Sequence, residues 1–231
     1  MIPSIVSDTD TRRRLVIVAD TCVSEAGVLA IISRSHRYSI CGSAHGFFDA
    51  DELIRAHQPD VLLIEPFLGD RDGILWIQEL ARDYPSTRIL IVSRRSERIY
   101  AERALRAGAA GYWMETGPAE ELLCALDAVA DGRIYASPAI TAVAIHRFAR
   151  RSDAPRDATS LSNRELAVFS LIGAGRRSGE IARQLGISRK TIETHCEHIK
   201  RKLGYANAEA LKAGARQFLA SAAPGSASVA A

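Results

Sequence analysis

Leu15-Val16-Ile17-Val18-Ala19, Val61-Leu62-Leu63-Ile64 and Ile89-Leu90-Ile91-Val92 are three short runs without a polar residue. Apolar runs this short and rich in β-branched residues suit strands better than helices, and their lack of alternation marks strands covered on both faces. Residues 38–42 and 110–114 supply two more strand-like segments. A helical stretch follows each strand, at residues 23–34, 50–57, 74–84, 97–107 and 118–130, the last with Pro118 at a first-turn position. Five strands alternating with five helices predict an α/β domain built on a doubly wound five-stranded parallel sheet, over residues 14–132. In such a sheet functional groups collect beyond the carboxyl ends of the strands. Those positions hold Asp20, Glu65, Ser93 and Glu115.

After Asp131-Gly132 the pattern changes. Residues 133–160 read as a linker that contains one helix, at 138–151, and ends in a polar stretch poor in large apolar residues. Ser162 with Glu165 three residues on has the spacing of a capping box, opening a helix that runs to about Gly173. A short helix spans 179–185, Gly186-Ile187-Ser188 turns the chain onto a good N-cap residue, and a longer helix spans 189–203. Ile192, Cys196, Ile199 and Leu203 line one face of that longer helix. A last helix, 207–219, completes an all-α four-helix unit over 161–220, and 221–231 read as a frayed Ser/Ala-rich tail. A short helix, a tight turn and a longer helix make a helix-turn-helix.

Composition limits the function classes. Apolar residues make up 47% of the 231 and charged residues 25%, which suits a folded globular chain. No apolar run approaches the roughly 18 residues of a membrane span, and residues 1–14 lack a secretory signal, so a cytoplasmic protein is expected. Cys22, Cys41, Cys124 and Cys196 are widely spaced, which predicts reduced thiols packed as small hydrophobes and neither a disulfide framework nor a zinc module. The net charge of +3 divides unevenly: residues 157–231 carry 11 basic and 6 acidic side chains, the rest 19 and 21. Only the back of the chain is set to attract a polyanion.

Leu161-Ser-Asn-Arg-Glu-Leu, Glu180-Ile-Ala-Arg-Gln-Leu-Gly-Ile-Ser, Lys190-Thr-Ile-Glu-Thr-His and Ile199-Lys-Arg-Lys-Leu-Gly204 resemble the LuxR-type DNA-binding domain, in register over about 60 residues. The resemblance implies that the 189–203 helix lies in the major groove of double-stranded DNA. It places Glu193, Thr194 and Glu197 toward the bases. Ser188, Arg189, Lys190, Thr191, His195 and Lys200 would contact phosphates. It also suggests a homodimer, with Leu211 and Phe218 on the last helix as contact residues, unless both fill the domain core. A metal reading of His195 with His198 is disfavoured, because no further ligand is apparent.

The front of the chain resembles the receiver domain of NarL/FixJ-family response regulators, a flavodoxin-like fold. Pro59-Asp-Val-Leu-Leu-Ile, Asp72-Gly73, Arg106-Ala-Gly-Ala-Ala-Gly-Tyr112 and Glu120-Glu-Leu-Leu carry the likeness. Receiver chemistry uses two acids after the first strand and an acceptor Asp after the third, which together hold Mg²⁺, plus a hydroxyl after the fourth and a Lys after the fifth. Here the acid pair is Ala19-Asp20, the acceptor position is Glu65, and the Lys position is Glu115. Ser93 keeps the hydroxyl and Tyr112 the aromatic switch position. One acid fewer leaves Mg²⁺ short of hard oxygen ligands, and Glu for Lys removes the cation that offsets phosphoryl charge. Asp20, Glu65 and Glu115 would then crowd one pocket and need a counter-charge, which Arg94 or Arg95 is placed to supply.

These readings predict a DNA-binding transcription regulator with a degenerate receiver that works without phosphorylation. Two rivals remain: a conventional phosphorelay regulator that uses Glu65, and an interaction protein that sequesters partners and binds DNA weakly. No nucleotide-binding glycine motif and no nucleophile–base pair is present, so no enzyme, cofactor or metal is expected. An unidentified protein or ligand at the receiver-like domain is the remaining candidate for a signal.

Overall fold

The computed structural model describes residues 11–68, 73–149 and 158–222. A five-stranded all-parallel sheet, β1 (Arg13–Val18), β2 (Tyr38–Ala44), β3 (Val61–Ile64), β4 (Arg88–Ser93) and β5 (Gly111–Met114), has the order β2-β1-β3-β4-β5. Helices α1 (Cys22–Ile32), α2 (Phe47–His57), α3 (Gly73–Asp83), α4 (Glu97–Arg106) and α5 (Ala119–Ala130) cover both faces. Strand alternation divides the core in two. Leu15, Ile17, Leu63, Leu90 and Val92 meet Val28, Ile32, Leu122 and Leu126 of α1 and α5. Val16, Val18, Leu62, Ile64, Ile89 and Ile91 meet Ile54, Trp76, Ile77 and Ala104 of α2, α3 and α4.

Local chemistry sets the element ends. Thr21 caps α1 by accepting from the Ser24 N–H at 3.2 Å. A Cβ at Gly73 would lie 1.7 Å from the Pro66 carbonyl oxygen, so only glycine lets α3 start against that loop.

The linker differs from expectation at both ends. Tyr135 pairs with Gly111 along the free edge of β5, its N–H donating to the Ala110 carbonyl at 2.9 Å. Helix α6 (Pro138–Ala149) follows. At the far end, a single 3-10 turn (Ala158–Ser160) enters the second domain. Arg103 of α4 anchors it, donating to the carbonyls of Ala158, Thr159 and Leu161 at 3.0, 3.3 and 2.5 Å and to Asn163 Oδ1 at 2.9 Å. Local pattern could not reveal that anchor, because its partner lies over fifty residues away. The rest of the expected polar stretch, most of the expected tail and Asp72 lie outside the described residues.

The second domain is all-α: α7 (Asn163–Gly173), α8 (Ser178–Gln184), α9 (Arg189–Leu203) and α10 (Ala208–Ala222). Helix α10 extends past residue 219, into the expected tail. Leu211 is buried and the partly buried Phe218 packs on Phe169, ring centroids 5.3 Å apart, so both contribute to the domain core. The four cysteines are free thiols, but Cys22 and Cys124 are exposed, contrary to the expectation of small buried hydrophobes. Among the described residues, no helix is long and apolar enough to cross a membrane.

Candidate functional site

Asp20, Glu65, Ser93 and Glu115 each sit at or one to two residues past the carboxyl end of a strand, and the sheet order gathers Asp20, Glu65 and Glu115 in one pocket with Ser93 buried beside it. Arg94 lies across its mouth. Its Nη2 donates to Asp20 Oδ2 at 2.5 Å, and its Nε stands 3.5 Å from Glu115 Oε2. Of the two arginines proposed as counter-charge, Arg94 takes that position. Arg95 turns the other way, its guanidinium 4.7 Å from the Phe67 ring centroid and 5.9 Å from that of Tyr100.

Glu65 does not face the pocket as an open acceptor. Glu65 is only 8% exposed, and its carboxyl accepts from the Phe67 N–H at 3.0 Å. Burial pushes its pKa above the usual carboxylate range, while the Ser93 hydroxyl, the Phe67 N–H and the charge of Arg95 oppose the rise. Ser93 Oγ accepts from the Arg95 N–H at 3.2 Å. Tyr112 is fully buried, and its hydroxyl donates to the Arg95 carbonyl at 2.8 Å. The space left between Ala19, Asp20, Glu65 and Glu115 is about 10 Å³, about one water's worth.

This arrangement does not fit the divalent cation of the receiver family. Ala19 supplies no side-chain oxygen, Glu65 is engaged with the Phe67 N–H, and a guanidinium already bridges Asp20 and Glu115. Among the described residues, no three His, Cys, Asp or Glu side chains gather as metal ligands.

The second candidate site is α9. Ser188 caps it, accepting from the Thr191 N–H at 3.1 Å, and the two hydroxyls lie 2.8 Å apart. Thr194 donates back to the Lys190 carbonyl at 3.0 Å. Ser188, Arg189, Lys190, Glu193, Thr194 and Glu197 are exposed, and Thr191 is half-buried. Arg189 lies over Gly179 of α8, where a Cβ would come within 2.7 Å of its guanidinium. Lys200 is drawn to Glu197, 2.8 Å away.

His195 differs from the others. Its Nδ1 is buried without a hydrogen-bond partner among the described residues, and burial lowers its pKa, against the pull of Glu165. The α9 helix is fixed from behind by Glu165 of α7, a buried acid that accepts from the Ser162 N–H at 2.7 Å and from Lys202 at 2.6 Å. Sequence reasoning passed over Arg176 and Arg177. They follow the tight turn at Gly175 and line one groove with Glu193, Glu197 and Lys200. Their adjacency in the sequence was the available signal.

Comparison with known proteins agrees with this two-part plan. The family model for the response regulator receiver domain matches residues 15–127, and that for bacterial regulatory proteins of the luxR family matches 159–212. The oxygen regulatory protein NreC of Staphylococcus aureus (strain bovine RF122 / ET3-1) is 32% identical over 197 residues, covering 83% of this chain and 91% of that protein. A structure of the RcsB response regulator of Salmonella typhimurium superposes with a TM-score of 0.71 at 22% identity, covering 92% of this chain and 99% of that one. RcsB from Salmonella enterica serovar Typhimurium, bound to promoter rprA in the presence of phosphomimetic BeF3⁻, superposes with a TM-score of 0.68 at 20% identity, covering 87% and 97%.

Proposed function

The chain belongs to the NarL/FixJ-type response regulators, which join a receiver to a LuxR-type DNA-binding domain, and from that premise we propose a regulator whose DNA binding does not depend on phosphorylation. The observation that carries the proposal is the Arg94 bridge between Asp20 and Glu115, with Glu65 buried and holding the Phe67 N–H. A phosphoryl group would enter a space of about 10 Å³ ringed by carboxylates, with no Lys to offset its charge. Glu65 instead holds the Phe67 N–H, and Tyr112 is turned inward, an arrangement that needs no modification.

The DNA partner would be read by α9. Glu193, Thr194 and Glu197 face the bases, while Ser188, Arg189, Lys190, Thr191 and Lys200 meet phosphates, joined by Arg176 and Arg177. His195 would offer at most its outer ring edge. Two copies, one per half-site, are expected on an operator. RcsB, similar in fold, was seen on promoter DNA.

The test is to incubate the purified protein with acetyl phosphate and Mg²⁺, then measure phosphate incorporation and promoter binding. The expected result is no acid-labile phosphate and salt-dependent DNA binding by the unmodified protein. A stoichiometric phosphate on Glu65 that changes DNA affinity would overturn the reading in favour of a conventional phosphorelay.

A further inference from the structure

The receiver and the DNA-binding domain together line a half-open cavity of about 120 Å³. Phe67, Ile74 and Tyr100 wall it on the receiver side, and Leu166, Leu171 and Leu185 on the other. These walls continue the packed core of both domains. An apolar protein cavity of about 150 Å³ takes up benzene, so this one has the scale of a single aromatic ring or a short branched chain.

Its polar groups are few and specific. Arg95 lines it, half-buried against Phe67 and Tyr100. Among the described residues, no acid lies within ion-pair distance of that guanidinium and no acceptor takes its N–H groups. Arg103, the other cation on the wall, is occupied by carbonyls and Asn163. Ser170, whose hydroxyl is buried without a partner, and Gln184 complete the lining. Apolar walls with a small number of convergent polar groups are the usual form of a small-molecule site. A planar guanidinium with open donors selects a carboxylate, which it can hold by two parallel hydrogen bonds.

We infer that this interdomain cavity binds a small monocarboxylate with an aromatic ring or a short branched alkyl chain. The carboxylate sits on Arg95 and the apolar body between the α4 side and α7. Because the two walls belong to different domains, occupancy would tie the DNA-binding domain to the receiver. The inference does not rest on phosphorylation independence: Arg95 and α7 form the cavity whether or not Glu65 is modified.

The test uses the full chain. Benzoate and isovalerate are titrated, with benzamide as the neutral counterpart, and binding is followed by ligand-observed NMR and by thermal stabilisation. Both carboxylates should bind, and benzamide should bind at least about tenfold more weakly. Arg95→Gln should cost the carboxylates about tenfold or more and leave benzamide unchanged. Ala167→Leu, which fills the cavity without touching Arg95, should block all three.

No binding by either carboxylate at about 10 mM would overturn the inference. So would binding that survives both Arg95→Gln and Ala167→Leu, or benzamide binding as tightly as benzoate. Acetyl phosphate labelling is run in parallel. Carboxylate binding with phosphate incorporation would sink the proposed function alone, and neither result would sink only the cavity.

Discussion

Replacing Arg94 by alanine perturbs the receiver pocket at one atom group. The guanidinium lies 2.5 Å from Asp20 and 3.5 Å from Glu115, with Arg94 49% exposed and the acids 24% and 21%. Unit charges about 4 Å apart attract by roughly 4 kcal/mol at an effective dielectric near 20. Solvent at Arg94 brings each pair down to about 1 kcal/mol or less. Removing the guanidinium forfeits two such pairs and leaves two carboxylates facing each other beside Glu65. Arg94→Ala should therefore cost the receiver about 1–2 kcal/mol, a fall in Tm of roughly 3–8 °C. The variant should also gain a response to divalent cations, because a cation can then take the place of Arg94 between Asp20 and Glu115. Melting curves with about 10 mM MgCl₂, against KCl of equal ionic strength, should rise for Arg94→Ala and stay level for the native chain. A double-mutant cycle with Asp20→Asn isolates the pair. A coupling energy indistinguishable from zero, or an equal Mg²⁺ response in the native chain, would refute the bridge as the occupant of the old metal site.

Other outcomes follow from the same geometry. Burial holds the folded-state pKa of Glu65 above the ordinary value of 4.5, so its contribution to stability is whole below that value and is lost as pH rises through the raised one. Glu65→Gln cannot ionise, and its urea midpoint relative to the native chain should improve between about pH 4 and about pH 8; an unchanged difference removes the argument. Arg103→Ala should release the 3-10 turn and the start of α7 by about 2 kcal/mol, read as roughly thirtyfold faster amide exchange over residues 158–163. Unaltered protection there would mean the anchor carries no strength. Glu193→Ala should relax base preference by about 1–3 kcal/mol at one operator position while non-specific affinity holds or rises. A uniform loss on all DNA would make Glu193 a structural residue.

The sheet was legible because its strands are buried on both faces. Val61–Ile64 and Ile89–Val92 have no polar residue to blur them, and burial of all four positions in β3 bears this out. The caps were legible too: Ser162 with Glu165, and Ser188 before α9, make the hydrogen bonds that their spacing implies. What stayed hidden depends on partners far along the chain. Nothing local distinguishes Arg94 from Arg95, yet one faces Asp20, 74 residues away, and the other lies over Phe67 and Tyr100. Nothing local says that Arg103 reaches the second domain or that Tyr135 pairs with the edge of β5. Leu211 and Phe218 were ambiguous for a related reason. An apolar stripe on a terminal helix serves a core or a dimer equally well, and only the packing of α10 on α7 assigns it to the core.

Arg94 and Arg95 also explain how a receiver that has lost its ligands can keep its connections. The two side chains diverge from one loop, the first closing the pocket and the second lining the interdomain cavity. The backbone between them is held from both sides: the Arg95 N–H donates to Ser93 Oγ and the Arg95 carbonyl accepts from Tyr112. Ser93 and Glu65 lie at the carboxyl ends of the adjacent strands β4 and β3. The acceptor-position strand end thus neighbours the loop whose Arg95 borders the DNA-binding domain. Along the same strand ends the chain places a buried carboxyl at Glu65 and a guanidinium between Asp20 and Glu115. On the far side of the same loop Arg95 lines the cavity beside α7, so the carboxylate proposed there would act on both domains at once.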